Sequence, residues 1–179
     1  MIILASESPR RKELIKQITS DFTVIPANID ESVLHIPACD LPGELSKLKA
    51  YDVFAKYPND KVLACDTIVV LDGEVMGKPH TKEKASEMLH KLSGKKHMVI
   101  SGYTLISKEK EITRTVRTYV YFNNLSDELI NKYIESGSPM DKAGAYGIQD
   151  KEFDLVNHIE GSLNNVIGLP IEDIKKHWF

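Results

Sequence analysis

The sequence has few cysteines, and their spacing suggests neither a disulfide framework nor a metal site. Cys39 and Cys65 are the two cysteines among 179 residues, and they form no C-x-x-C pair. Disulfide-rich domains and zinc-binding modules carry more cysteines at shorter, characteristic spacings. We therefore predict two reduced thiols in a reducing compartment, with Cys65 in the core of a strand.

The sequence also lacks a long apolar run. No apolar stretch approaches the roughly 18 residues that a membrane-spanning helix needs. The N-terminus, MIILASESPRR, has no basic segment ahead of an apolar one, as a secretory signal peptide would. These absences predict a cytoplasmic protein without a membrane partner.

Neither sign of charge is in large excess. The formal net charge is −3 and the isoelectric point is about 6.1. Proteins that bind a nucleic acid polymer usually carry a basic surplus, so the balance argues against such a partner. A small anionic substrate would instead need a local cluster of basic residues.

Two familiar catalytic patterns are missing as well. The six histidines are scattered without H-x-x-E-H or i, i+4 ligand spacing, and we interpret them as structural or exposed. The sequence contains no Walker loop ending in Gly-Lys-Ser or Gly-Lys-Thr. The absence of these patterns gives no support to a metal site with histidine ligands or to a Walker-type phosphate loop.

What the sequence does contain is a polar pair inside an apolar strand. Residues 62–71 are almost all apolar, which predicts a buried strand, and Asp72-Gly73 predicts a tight hairpin after it. Asp66 and Thr67 lie within this strand, and Lys78 follows the hairpin. A buried carboxylate is costly unless a cation, a metal or hydrogen-bond donors compensate it. A structural aspartate held by backbone donors is the alternative, but the combination favours an active site.

A second polar cluster follows a predicted strand at residues 2–5. Ser6 and Ser8 precede a predicted helix that carries Arg10 and Arg11 in its first turn. Cations there oppose the helix dipole, a cost that makes sense if an anion binds at the helix start. A capped surface helix that happens to carry arginine is the alternative.

The third unusual segment is DKAGAYGIQ at 141–149. Its small residues would let the backbone approach a flat ring or a phosphate closely. Gln149 ends the segment with an amide that can read the donor and acceptor edge of a base. A plain glycine turn that leads into a strand would explain the glycines alone.

Two further candidates lie outside these clusters. Glu31 follows Asp30 after a predicted strand at 22–25, where such acids are either metal ligands or solvated loop residues. Lys49 lies on a predicted helix at 40–57 together with Lys47. The two lysines are more than about 90° apart around that helix, so at most one points into a given site.

The remaining periodicities alternate between strand and helix, which predicts the α/β class in one domain without linkers or repeats. Further helices are predicted at 81–92, 126–135 and 171–177, and further strands at 97–107, 112–122 and 153–159. Residues 160–170 are predicted as a loop.

Several of these segments together resemble the Maf family of nucleoside triphosphate pyrophosphatases. The matching motifs follow the family order over nearly the whole chain: LASESPRRKEL at 4–14, Ile29-Asp30-Glu31, Lys49-Ala50, ACDTIVVLDGEVMGKP at 64–79, the Ser-Gly of LSGKKHMVISG, MDKAGAYGIQ at 140–149 and NVIGLP at 165–170. Arg10, Thr67 and Gln149 are similar to the branch that prefers dTTP and UTP rather than to the 7-methyl-GTP branch. One mild departure is the Asp-Lys after Gln149, where many relatives have Gly.

The resemblance implies an α/β fold of the ITPase-like, Maf type: a bent mixed β-sheet flanked by helices. It implies a single Maf-type domain over residues 1–179, with two lobes around a nucleotide cleft. It further implies hydrolysis of nucleoside triphosphates, dTTP and UTP preferred, to the monophosphate and pyrophosphate with Mg²⁺ or Mn²⁺. Such a reaction would remove non-standard nucleotides from the pool. A homodimer is one assembly that this interpretation leaves open.

The resemblance also implies a role for each candidate residue. Asp66 would be the proton acceptor and, together with Glu31, a metal ligand, and Lys78 would act beside it in catalysis. The implied substrate-binding residues are Ser6, Ser8, Arg10, Arg11, Lys49, Thr67 and Gln149. Two alternatives are a nucleotide-binding regulator of septum formation with little turnover, and a phosphatase that removes the γ-phosphate.

Overall fold

The computed structural model describes residues 1–179, with the exception of the Val33 side chain. The strands are β1 (Ile2–Leu4), β2 (Thr23–Val24), β3 (Lys61–Leu71), β4 (Glu74–Met76), β5 (Lys96–Ile106), β6 (Glu111–Phe122) and β7 (Val156–Glu160). The helices are α1 (Pro9–Ile15), α2 (Leu41–Lys56), α3 (Lys82–Leu92), α4 (Asp127–Glu135), α5 (Leu163–Ile167) and α6 (Ile171–Lys176). Short 3-10 turns lie at Glu31–Val33, Ser138–Asp141, Ala143–Ala145 and Lys151–Phe153. Within this part of the chain, none of the helices is both long and apolar enough to cross a membrane.

The strands form a mixed sheet in the order β2-β1-β3-β5-β6-β7, and β4 pairs with β3. β1 is parallel to both β2 and β3, so that Ile3 lies beside Thr23 on one side and Val62 on the other. β4 is antiparallel to β3, and β7 is antiparallel to β6. The predicted α/β class with a mixed sheet is confirmed.

The hairpin between β3 and β4 forms where Asp72-Gly73 predicts it. Asp72 has φ +50° and Gly73 has φ +82°, and Leu71 pairs with Glu74 across the turn. A two-residue loop with positive φ at both positions matches the twist of the strands on either side. The hairpin therefore ends β3 at a defined residue.

The chain divides into two compact units. The first contains Met1–Thr67, Ile100–Arg117 and Asn164–Phe179, and the second contains Ile68–Val99 and Thr118–Leu163. The predicted single domain and its cleft stay predictions.

In the first unit, helices cover both faces of the sheet. Leu63 and Cys65 of β3 belong to a buried cluster with residues of α1 and α6, whereas Val62 and Ala64 belong to a second cluster with residues of α2. This division follows from the strand geometry, because successive side chains point to opposite faces. The predicted flanking of the sheet by helices is confirmed here.

In the second unit, α3 and α4 contact each other and the short turns between residues 138 and 145. Thr81 and Ser126 cap the two helices as predicted, each accepting a hydrogen bond from the backbone amide three residues later. Gly137, with φ +78°, follows α4 and starts the next turn.

Three local predictions are wrong. Residues 153–155 are not in a strand, because Asp154 adopts a left-handed conformation with φ +50° and β7 begins only at Val156. The predicted loop at 160–170 contains the short helix α5. Asp40 occupies the N-cap position of α2 without a capping hydrogen bond, since its backbone is helical rather than extended.

Candidate active site

The buried carboxylate of Asp66 contacts the ammonium of Lys49. Lys49 Nζ lies 2.9 Å from Asp66 Oδ1, and the two side chains are 14% and 13% exposed. Lys49 precedes Ala50, which packs on the same face of the sheet as Val62 and Ala64. The alternation of side chains along β3 directs Asp66 to this face. The cation that a buried carboxylate requires therefore comes from α2.

Glu31 shares the same ammonium. Its Oε1 lies 2.8 Å from Lys49 Nζ, and its side chain is 53% exposed. Burial alone would lower the pKa of Lys49, but the carboxylates of Asp66 and Glu31 outweigh burial and raise it. Lys49 is therefore charged at neutral pH and joins two acids that are 35 positions apart in the sequence.

Two carboxylates that converge on one cation also suit a divalent ion. Mg²⁺ and Mn²⁺ prefer oxygen ligands, and Mg²⁺ commonly binds one or two carboxylates together with substrate phosphates and water. Over the described residues, no group of three or more His, Cys, Asp or Glu side chains could hold a metal. Glu31 and Asp66 could therefore hold a divalent ion together with further oxygen ligands, and their role as metal ligands stays a prediction.

Thr67 faces the other side of the sheet and contacts Arg11. Arg11 Nη2 donates to Thr67 Oγ1 at 3.1 Å, Nη1 to Ser6 Oγ at 3.3 Å, and Nε to the Gly168 carbonyl at 2.7 Å. These bonds hold the planar guanidinium in one orientation. In this structure the Arg11 side chain contacts Thr67, the neighbour of Asp66, and not Asp66 itself.

The sequence did not single out Gly168 and Ser101 as site residues, although both lie at the centre of this arrangement. The Gly168 carbonyl also accepts from Thr67 Oγ1 at 3.3 Å, and Ser101 Oγ lies 2.7 Å from Thr67 Oγ1. Ser101 is fully buried and donates to the Asn165 carbonyl at 3.3 Å. A hydroxyl within the apolar strand predicted at 97–107 was the available signal, the same kind of signal that identified Thr67.

The start of α1 is built as predicted. Ser8 caps the helix by accepting from the Arg11 amide at 3.4 Å, and Ser6 Oγ accepts from the Ser8 amide at 3.2 Å. Arg10 is half-buried and takes no part in the contacts of Arg11. Anion binding at this helix start stays a prediction.

Lys78 and Gln149 lie in the second unit, on segments that contact each other. Both side chains are exposed. The Gly144 amide donates to the carbonyl of Gly77, which precedes Lys78, at 3.2 Å. A Cβ on Gly144 would lie 3.0 Å from Val69 Cγ1, so this glycine packs closely against β3. The ammonium that contacts Asp66 belongs to Lys49, and the catalytic role predicted for Lys78 stays a prediction.

Comparison with known proteins agrees with the motifs. Residues 1–177 match the family model described as Maf-like protein. The dTTP/UTP pyrophosphatase of Thermosipho africanus (strain TCF52B) is 49% identical over 97% of this chain and 89% of its own length. Those of Thermococcus gammatolerans and Pyrococcus furiosus are 45% and 46% identical, over 98% and 95% of this chain and 94% and 90% of their own. The structure of the Staphylococcus aureus Ham1 protein matches with a TM-score of 0.49 at 17% identity, covering 86% of this chain and 90% of its own length.

Proposed function

Because the chain belongs to the Maf family, we propose that it hydrolyses a nucleoside triphosphate, dTTP or UTP by preference, to the monophosphate and pyrophosphate. The relatives named dTTP/UTP pyrophosphatase support the substrate, since they align with nearly the whole chain. The observation that carries the chemistry is the buried Asp66 carboxylate, which contacts the Lys49 ammonium at 2.9 Å. Removal of non-standard nucleotides from the pool is the cellular purpose that fits this reaction.

In the proposed mechanism Asp66 orients a water molecule and accepts its proton. The water oxygen attacks the α-phosphorus in line, and the bond from that phosphorus to the β-phosphate bridging oxygen breaks. The electron pair leaves with pyrophosphate. Lys49 contributes a positive charge beside Asp66. Its side chain is only 14% exposed, so the ammonium is held in place.

Glu31 and Asp66 would hold the divalent ion. Bound there, Mg²⁺ or Mn²⁺ would supply positive charge to neutralise the phosphate oxygens. Lys49 already draws both carboxylates to one point, so they need no large movement to share a cation. The exposed position of Glu31 leaves room for water and substrate oxygens as further ligands.

The triphosphate itself would be bound by basic and hydroxyl side chains. Arg10, Arg11 and Lys78 are proposed to contact the phosphates, and Ser6 and Ser8 to support them. The fixed orientation of Arg11 favours this role, since a guanidinium held in place loses little freedom when it binds an oxyanion.

Gln149 and Thr67 are proposed to help choose the base. The Gln149 amide is exposed and carries a donor and an acceptor side by side. Thr67 accepts from Arg11, so its hydroxyl also positions that guanidinium. The cytoplasmic location and the homodimer stay predictions.

The product distinguishes this proposal from its alternatives. Purified protein is incubated with UTP, and inorganic phosphate is measured with and without added inorganic pyrophosphatase. Phosphate that appears only with the coupling enzyme supports pyrophosphate release. Free phosphate and UDP without it would support γ-phosphate removal instead. No turnover, together with nucleotide-dependent binding of a partner, would support the septum-formation regulator.

A further inference from the structure

The turn that carries Gln149 is held by a partly buried hydrogen-bond network in the second unit. The Asp150 amide donates to the Gly147 carbonyl at 3.0 Å and closes the turn, which leaves Gln149 exposed at its tip. The two residues of the tip, Ile148 and Gln149, are joined to the rest of the chain through Gly147 and Asp150. Its orientation therefore depends on what holds residues 147 and 150.

The hydroxyl of Tyr133 holds both ends of this turn. It accepts from the Gly147 amide at 2.9 Å and donates to Asp150 Oδ2 at 2.6 Å. Tyr133 lies on α4 and is fully buried, and its ring packs against Phe153 at 4.8 Å between centroids. The phenol is therefore a rigid support that reaches the turn from a helix.

A second support reaches the same carboxylate. Ser138 Oγ donates to Asp150 Oδ2 at 2.5 Å, and Lys142 Nζ donates to the carbonyl of Ser138 at 2.6 Å and to its hydroxyl at 3.1 Å. A Cβ on Gly147 would lie 2.9 Å from Lys142 Cε, so the lysine stem packs directly on the turn. Hydrogen bonds to an ionised acceptor are among the stronger ones in proteins.

Such rigidity matters for an amide that reads a base. A glutamine presents an acceptor and a donor on one edge, which complements the O4 and N3–H of uracil or thymine. Rotation of the amide by about 180° exchanges the two and complements cytosine instead. The base that is preferred therefore depends on the position from which the Gln149 side chain approaches it, and the turn sets that position.

We propose that Tyr133, Asp150 and Ser138 are positioning residues that fix the Gln149 turn and thereby set the preference for uracil and thymine over cytosine. The proposal rests on the function proposed above, in which Gln149 reads the base. It assigns a task to three residues that lie outside the phosphate-binding and proton-accepting groups.

The test compares UTP with CTP in Tyr133→Phe, which removes only the hydroxyl. The ratio of kcat/KM for UTP to that for CTP should fall about tenfold, equivalent to about 1.4 kcal/mol. The fall should come from a higher KM for UTP with kcat nearly unchanged. Asp150→Asn should lower the ratio in the same direction, and it serves as the second variant if Tyr133→Phe does not fold.

Tyr103→Phe is the matched control. Tyr103 is also fully buried, and its hydroxyl donates to a carboxylate oxygen of Asp173 at 2.8 Å, in the first unit. Its loss should lower stability comparably, measured by thermal unfolding, and leave the UTP to CTP ratio unchanged. A general loss of stability would lower the ratio equally in both phenylalanine variants and would overturn the proposal.

Gln149→Ala separates this proposal from the one on which it rests. If Tyr133 acts through Gln149, the double variant Tyr133→Phe/Gln149→Ala should show no lower ratio than Gln149→Ala alone. A ratio that falls in Gln149→Ala but keeps its wild-type value in Tyr133→Phe and Asp150→Asn overturns the positioning role only. A ratio that Gln149→Ala leaves unchanged overturns the base-reading role as well, and absence of pyrophosphate release from UTP by the wild type overturns the proposed function.

Discussion

Replacing Lys49 by methionine tests whether this ammonium is what makes the buried carboxylate of Asp66 tolerable. Methionine keeps most of the side-chain volume but leaves Asp66, only 13% exposed, without its cation. Removal of one partner from a buried ion pair typically costs about 3 kcal/mol or more, because the remaining charge is uncompensated. We therefore expect the free energy of unfolding to fall by about 3 kcal/mol.

Glu31→Gln is the matched control, because Glu31 contacts the same ammonium but is 53% exposed. An exposed ion pair contributes less than about 1 kcal/mol, so this variant should be nearly as stable as the wild type. The assay is urea unfolding followed by far-UV circular dichroism at neutral pH, with a chelator present to remove divalent ions.

The double variant Lys49→Met/Asp66→Asn decides between loss of the charge pair and loss of packing. It removes the uncompensated charge, so it should recover much of the stability that Lys49→Met loses. A double variant no more stable than Lys49→Met would show that the uncompensated charge of Asp66 is not what destabilises Lys49→Met. So would a Lys49→Met variant that loses no more stability than Glu31→Gln.

Two further predictions concern the scaffold. Gly102→Ala should lower the free energy of unfolding by about 3 kcal/mol, because its Cβ would lie 2.2 Å from backbone atoms of Pro42 and Gly43 at the start of α2. Gly77→Ala is the control, since its Cβ would meet nothing within 4 Å, and it should change the thermal unfolding temperature little. Equal effects of the two variants would contradict this prediction. Burial lowers the pKa of His97 from its ordinary value of 6.5 to about 4, so the unfolded chain binds a proton in this range that the folded protein does not. The free energy of unfolding should therefore fall by about 3 kcal/mol through this residue as the pH drops from about 6.5 to about 4. Urea titrations at several pH values should show a weaker pH dependence of the free energy of unfolding for His97→Gln than for the wild type.

The local part of the fold could be predicted from the sequence where one interaction dominates. The Asp72-Gly73 hairpin follows from the two positive φ angles that these residues tolerate. The helix caps at Ser8, Thr81 and Ser126 follow from side chains that bond to nearby amides. The start of β7 was predicted three residues too early, at residue 153. Asp154 adopts a left-handed conformation that the apolar pattern around it did not indicate.

The candidate site could be predicted where the alternation along β3 sets the direction of a side chain. That alternation places Asp66 towards α2 and Lys49, and Thr67 towards α1 and Arg11. The part played by the Gly168 carbonyl could not be predicted, because a backbone acceptor leaves no mark in the residue type. Its partners Arg11 and Thr67 lie 157 and 101 positions away in the sequence.

The network beneath Gln149 was hidden for a different reason. Tyr133 lies within the helix predicted at 126–135, and Asp150 begins the Asp-Lys pair that follows Gln149, and neither position indicates a contact between the two. Only the fold brings the hydroxyl of the first within 2.6 Å of the carboxylate of the second. A buried tyrosine usually finds a partner for its hydroxyl, but the sequence does not say which one.

Hydrolysis of UTP by Asp66→Asn, with Mg²⁺ or Mn²⁺ present, shows whether the Asp66 carboxylate is the proton acceptor. Pyrophosphate release should fall at least about 100-fold, the order expected when a general base is removed. Binding of UTP, measured by calorimetry, should change little, since the basic residues that contact the phosphates remain. An Asp66→Asn variant that releases pyrophosphate at the wild-type rate would show that Asp66 is not the proton acceptor.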